Sequence, residues 1–308
     1  MLRAIIKMIR PHQWVKNLFV MAPMFFHKDV IMVREGVMSL NLLVTGRAAA
    51  ATLVFCFLAG AVYTINDLVD VEADRIHPVK RLRPIASGAV PESMAKLTAV
   101  ALVVGSLAAA VWLDWRFAAV ALFYLIENIA YSFKLKHVAF LDVGLIALGF
   151  VLRVVAGGLA TRTPVSEYMY ACTALLALFL GFGKRRHELA GENAGKQRAA
   201  LKAYSPRSLT VAMALTGGAT IVTYILYTLD KDTRAFFRTD YLWLTAPFTV
   251  FGIFRFLALV SGRTSGSKTG KAESPTQAML SDVPFVLNLV LWVIVVVAVV
   301  YRLTPRVG

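Results

Sequence analysis

Apolar runs of membrane length recur along the chain, separated by short polar segments. They lie at roughly 17–33, 47–66, 95–113, 117–134, 138–160, 168–184, 209–229, 242–260 and 284–302, each near the ~20 residues a helix needs to cross a bilayer. The pattern predicts an all-α, polytopic membrane protein of about nine transmembrane helices in a single domain, 1–308. The first run is short and carries Pro23. Before it, residues 1–16 predict an interfacial segment. Arg3, Lys7 and Arg10 share one stripe, Leu2, Ile5, Ile6 and Ile9 can face lipid, and Trp14 and Lys16 sit where belt aromatics and snorkelling cations belong. The polar stretches 66–91, 183–207 and 261–282 predict loops, and the Gly/Ser/Lys run at 261–274 predicts a mobile one.

Composition supports the same class. Of 308 residues, 58% are hydrophobic, which few soluble domains reach. The formal net charge of +15 points to an anionic leaflet and anionic substrates. Nucleic acid is not expected, since no aromatics interleave with the basic residues as in a binding groove. With the N-terminus in the cytoplasm, twenty Lys and Arg fall on inner segments and ten on outer ones. That asymmetry predicts a multi-pass protein of the inner (plasma) membrane, with N-terminus in and C-terminus out. The basic start has no small-residue cleavage site, so it does not read as a signal peptide. Cys56 and Cys172 lie in apolar runs and read as core thiols, and five scattered His argue against zinc.

Against this background, one stretch stands out. Asn66-Asp67-Leu68-Val69-Asp70-Val71-Glu72-Ala73-Asp74 closes the second apolar run and is followed at once by Arg75, Lys80, Arg81 and Arg83. On a helix turning about 100° per residue, Asp67, Asp70 and Asp74 share one face within roughly 60° of arc. Crowded carboxylates near hydrocarbon repel, and a divalent cation removes that cost. All-oxygen ligands suit Mg²⁺, with Mn²⁺ as the alternative, and Asn66 can add an amide contact. The bland alternative is a solvated acidic helix end countered by the following cations.

Other polar groups gather on the same expected face. Tyr131 to His137 follows the fourth run, and Lys184, Arg185, Arg186 and Glu188 end the sixth. If the bundle closes, a cytoplasm-facing cavity has carboxylates on one wall and cations on the others, which suits a metal-bound polyphosphate. For any single Lys here, positive-inside topology is the better explanation; what it does not require is the acidic cluster among them. Inside the runs, Glu127 with Arg153, or Asp142 with a Lys of the preceding loop, are expected as pairs, with Glu127 and Arg153 structural; Asp142, nearer the cytoplasmic end, stays a site candidate.

NDLVDVEAD resembles the first aspartate motif, NDxxDxxxD, of the UbiA superfamily of intramembrane prenyltransferases. RPHQWVKN, the extension to RIHPVKRLRPIASG, YSFKLKH and GKRRHE are similar to its branch of polyprenyl-phosphate phosphoribosyltransferases. The likeness runs from about Arg10 to Tyr204; beyond it only hydropathy matches. Ordinary members carry a second Asp-rich motif after the sixth helix, and here Lys184, Arg185, Arg186 and Glu188 stand in its place. The resemblance implies a nine-helix bundle and Mg²⁺-dependent transfer of phosphoribose from phosphoribosyl diphosphate to a polyprenyl (decaprenyl) phosphate, serving cell-wall arabinan synthesis. The alternative is transfer from a prenyl diphosphate to an aromatic acceptor. It implies metal on Asp67, Asp70 and Asp74, and substrate contacts from Lys16, Asn17, Asn66, Lys80, Arg83, Tyr131, Lys136, Asp142, Lys184, Arg185 and Glu188. Whether Lys16 and Asn17, or Tyr131 and Lys136, serve the donor or the lipid phosphate stays open, as does a homo-oligomer.

Overall fold

The computed structural model describes residues 1–34, 37–190, 201, 203–261, 279 and 281–301. The expected loop at 261–274 lies outside them almost entirely, as do Lys196, Arg198, Lys202, Arg263, Lys268, Lys271, Arg302 and Arg306 of the charge asymmetry. The chain divides into two compact units, Met1–Val165 and Ser166–Gly308.

The first unit begins with α1 (Leu2–Met8), a 3₁₀ segment (Pro11–Val20), α2 (Ala22–Phe26) and an antiparallel hairpin, β1 (Ile31–Arg34) with β2 (Val37–Leu40). It continues with α3 (Leu42–Val69), α4 (Val71–Ile76), α5 (Glu92–Leu113), α6 (Trp115–Phe133) and α7 (Leu141–Thr161). The second unit holds α8 (Glu167–Ala190), α9 (Pro206–Leu229), α10 (Lys231–Phe237), α11 (Ala246–Val260) and α12 (Val283–Val300). Eight of the nine expected spans are helices, displaced by a few residues at most. Six of the helical stretches, α3, α5, α7, α9, Leu242–Val260 and α12, are long and apolar enough to cross a membrane.

The first expected span is a correction. Residues 17–33 form no continuous helix, and the hairpin departs from an all-α chain. Pro11 and Pro23 each remove a backbone donor, and Arg10 and Lys28 take positive φ values of 52° and 62°. Helix is broken on both sides of a short stretch, so what remains is the tighter 3₁₀ form.

Helix starts follow local chemistry. Asn41 accepts from the Val44 amide at the head of α3, and Asp114 accepts from Arg116 and Phe117 at α6. Ser205 and Ser208 bond reciprocally before Pro206 opens α9, and Asp282 caps α12. α3 is the hub of the first unit. Its Ala51, Val54, Phe55, Leu58 and Val62 form a core with Phe117, Ala121 and Tyr124 of α6 and Leu152, Ala156 and Ala160 of α7. Ala51, Ala121, Ala156 and Ala160 let the helices approach, and the larger Val, Leu and aromatic side chains fill the space between them, since in lipid van der Waals packing is what holds helices together.

At the far end of this unit, Arg47 ties three helices. Its Nε donates to the Ala160 carbonyl at 2.6 Å and its Nη2 to the Leu113 carbonyl at 3.1 Å, both at helix C-termini. Arg47→Ala leaves two carbonyls without this donor, so it is expected to cost on the order of 2 kcal/mol. Thermal unfolding in detergent checks this, and an unchanged midpoint would mean that the carbonyls find water instead.

In the second unit, Phe179 packs against Phe256 with ring centroids 5.0 Å apart and planes tilted by 60°, and Arg255 grips Asp282 through two bonds of 3.0 and 2.7 Å. α12 buries only Val299 and Val300.

Candidate active site

The acidic stretch does not lie on one helix. α3 ends at Val69, Asp70 is its C-cap, and α4 restarts at Val71. The expectation that Asp67, Asp70 and Asp74 share one continuous helical face is therefore corrected: the break sends their partners apart. Asp67 and Asp74, each 2% exposed, are joined by Arg83, whose Nη1 donates to Asp67 at 3.0 Å and to Asp74 at 2.6 Å. Asp67 also accepts from Arg10 at 2.5 Å. Asp70, more open, accepts from Lys136 at 2.6 Å and from the Asn66 amide at 3.3 Å. Glu72 points elsewhere, to Arg75 at 2.6 Å.

Packing explains how these cations arrive. Met8 of α1 packs with Val71, Ile85, Val90 and Ala95, which fixes α1 against the start of α4 and the 84–90 turn. Ile9 meets Gly60, where a Cβ would stand 3.1 Å from Ile9 Cβ. The chain then turns at Arg10 into Asp67. Lys80 sits in the turn Lys80–Leu82, whose entry is held by His77: its Nδ1 accepts from the Val79 and Lys80 amides. Burial, and after it the charge of Lys80, lowers the His77 pKa, in keeping with a neutral acceptor ring.

Deeper in the unit lies a second polar cluster. Arg153, 6% exposed, donates to Asn17 Oδ1 at 2.8 Å, to the Gly149 carbonyl at 2.7 Å and to the Tyr124 hydroxyl at 2.9 Å. Asn17 in turn donates to Cys56 Sγ at 3.4 Å. The expected Glu127–Arg153 pair is a correction. Glu127 bonds the Asn128 amide instead, because Asn17 on the 3₁₀ segment and Tyr124 on α6 supply neutral acceptors that fit the guanidinium. Arg10 also stands over the Tyr63 ring, 5.1 Å from its centroid.

Of the remaining candidates, Tyr131 is half-buried near the end of α6. Asp142 is fully buried at the start of α7 and accepts from the Val143 amide at 2.9 Å. Lys184, Arg185 and Glu188 lie near the end of α8 in the second unit, where Arg185 is fully buried. Glu188 faces Lys184 at 4.0 Å and Arg185 at 2.5 Å, so one carboxylate answers both cations. Arg10 as a partner of Asp67 was not legible beforehand, since 57 residues separate them.

The donor set suits a hard divalent cation in its chemistry: three carboxylates and an amide, all oxygen. Asp67 and Asp74 are near enough for one nitrogen to bond both, so a positive centre already stands between them. Among the described residues, no three His, Cys, Asp or Glu are grouped as a ready metal site. Metal at Asp67 and Asp74 therefore requires Arg83 to move aside.

Comparison with known proteins adds the following. The UbiA prenyltransferase family matches residues 35–272. The decaprenyl-phosphate phosphoribosyltransferase of Mycolicibacterium smegmatis is 35% identical over 306 residues, 96% of this chain and 92% of that one. The protein of that name from Corynebacterium glutamicum is 35% identical over 305 residues, covering 96% and 86%. Among solved structures, a UbiA homologue from Archaeoglobus fulgidus bound to GPP and Mg²⁺ superposes with a TM-score of 0.67 at 19% identity, covering 97% of this chain and 99% of that one.

Proposed function

The chain belongs to the UbiA prenyltransferase family, and we propose that it transfers a 5-phosphoribosyl group from phosphoribosyl diphosphate to a polyprenyl phosphate. With six membrane-length helices among the described residues, it is an integral membrane protein. The observation that carries the proposal is likeness along nearly the whole chain to phosphoribosyltransferases acting on decaprenyl phosphate. The cationic Lys184–Glu188 stretch supports it, because a Lys/Arg pair repels a second metal and attracts a bare phosphate.

In the proposed chemistry, a phosphate oxygen of the lipid acceptor attacks C1 of the ribose. The C1–O bond to diphosphate breaks as the new one forms, with inversion at C1. The nucleophile is already an anion, so no strong base is needed, and positioning with charge stabilisation carries the rate. Asp67, Asp70 and Asp74 would hold Mg²⁺, which when bound neutralises the leaving diphosphate. Lys80 and Arg83 would hold donor phosphates once the carboxylates are otherwise engaged. The donor enters from the cytoplasm, in the orientation that the Lys and Arg asymmetry favours.

Radiolabelled phosphoribosyl diphosphate, polyprenyl phosphate and purified protein should yield a labelled lipid on thin-layer chromatography, with loss on chelation of divalent metal. Turnover of a prenyl diphosphate with an aromatic acceptor, and none of phosphoribosyl diphosphate, would overturn the proposal. Sidedness has its own check. A cysteine at Ser87 should label only from the cytoplasm and one at Thr239 only from outside; the reverse labelling would invert the topology.

A further inference from the structure

We infer that Lys16, backed by Arg153, is the seat of the lipid acceptor's phosphate, with the acceptor's apolar chain running along Val15 and Leu18. The inference rests on the reading proposed above for the reaction. It starts from the periodicity of the 3₁₀ segment Pro11–Val20, where residues three apart share an edge. Asn17 and Val20 form a buried edge, 1% and 0% exposed. Val15 and Leu18 form an open apolar edge, 54% and 53% exposed. Lys16 lies on the third edge with Gln13 and Phe19, all half-buried, at the border between the two. An apolar chain following Val15 and Leu18 brings its head group to Lys16.

Among the described residues, no carboxylate bonds Lys16 or Arg153. Arg10 and Arg83 are committed to Asp67, and Lys136 to Asp70. Lys16 makes no hydrogen bond or ion pair among the described residues. Arg153, though buried, bonds only neutral oxygens, and the nearby Glu127 is bonded to Asn128. A buried surplus of positive charge is costly unless an anion answers it. Burial first, then the charges of Arg153 and Arg10, lower the Lys16 pKa to about 8, so a bound anion would favour its charged form. A prenyl phosphate supplies both the anion and the apolar body. Phosphoribosyl diphosphate is polar throughout and has nothing to place on Val15 and Leu18.

Kinetics with each substrate varied in turn test this. Lys16→Met should raise the KM for polyprenyl phosphate by on the order of ten- to a hundredfold while the KM for phosphoribosyl diphosphate changes little. Lys16→Arg should restore most of the loss, because the charge returns. A shift in the donor KM instead, or unchanged values for both substrates, overturns the assignment. Should Lys16→Met fail to fold, Leu18→Gln carries the same test, since a polar edge should weaken the acceptor alone. A binding arm separates this inference from the reaction. Farnesyl phosphate should raise the melting temperature of wild-type protein more than inorganic phosphate does, and not that of Lys16→Met. Loss of that difference sinks the Lys16 site even if transfer is confirmed, whereas its presence without any transfer sinks the reaction and leaves the site.

Discussion

Asp70→Asn is expected to lower phosphoribosyl transfer by about a hundred- to a thousandfold, the usual loss when one electrostatic element of a charged site is removed. Asp70 is the cleanest position for the experiment. Its carboxylate is the most open of the three, with a side chain 31% exposed, and among the described residues it answers Lys136 and Asn66 alone. Asn keeps its shape and leaves the fold with one weakened pair. The residual activity should need more Mg²⁺ to appear, because the lost charge is a metal ligand in the proposed chemistry. Activity measured against metal concentration, beside a melting curve, decides the matter: full activity at ordinary Mg²⁺ removes Asp70 from the metal set. Asp67→Asn should be equally inactive but also less stable, since Arg10 and Arg83 both lean on that buried carboxylate. A buried charge deprived of its partner costs several kcal/mol.

The second large effect concerns the backbone. Gly157 of α7 lies against the 3₁₀ segment so closely that an added Cβ would stand 1.9 Å from the Val20 carbonyl oxygen and 2.8 Å from its carbon. Ordinary overpacking costs roughly 1–3 kcal/mol, and there the obstacles are side chains that can turn. Here the obstacle is main chain, so Gly157→Ala should exceed that range and push the segment off α7. Asn17 would then lose its bond to Arg153, and activity should fall along with the melting temperature. Gly105→Ala is the control. Its Cβ would meet nothing within 4 Å in α5, and Ala is favoured over Gly in a helix by about 1 kcal/mol. Gly105→Ala should therefore be neutral or stabilising. Equal melting temperatures for the two variants would mean that the contact at Val20 is loose in solution.

Much of this was written in the sequence because hydrocarbon imposes length and polarity on whatever crosses it. Eight helices could be placed from hydropathy alone, and Lys184, Arg185 and Glu188 could be grouped at the end of one of them. The acidic stretch stood out for the same local reason. What escaped depends on folding back. The break at Asp70 stands next to Val71, which packs on Met8 and Ile85, and no propensity within NDLVDVEAD signals it. Arg153 finds Asn17 across 136 residues, a distance at which residue spacing carries no information. The first apolar run holds no continuous helix because hydropathy counts residues and is blind to their dihedrals: Arg10, before the run, and Lys28, within it, take positive φ values.

The last helix, α12, has its own consequence. With only Val299 and Val300 buried, it owes little to its neighbours and most of its surroundings to lipid. Such a surface is selected for solubility in oil and not for fit. Exchanges among Val, Ile and Leu along 283–298 should pass almost unnoticed, while a single Asp at the middle of the helix would be opposed by the bilayer itself, by about 2.5–3.5 kcal/mol on insertion scales. This stretch of the chain is free to drift in spelling as long as it stays greasy.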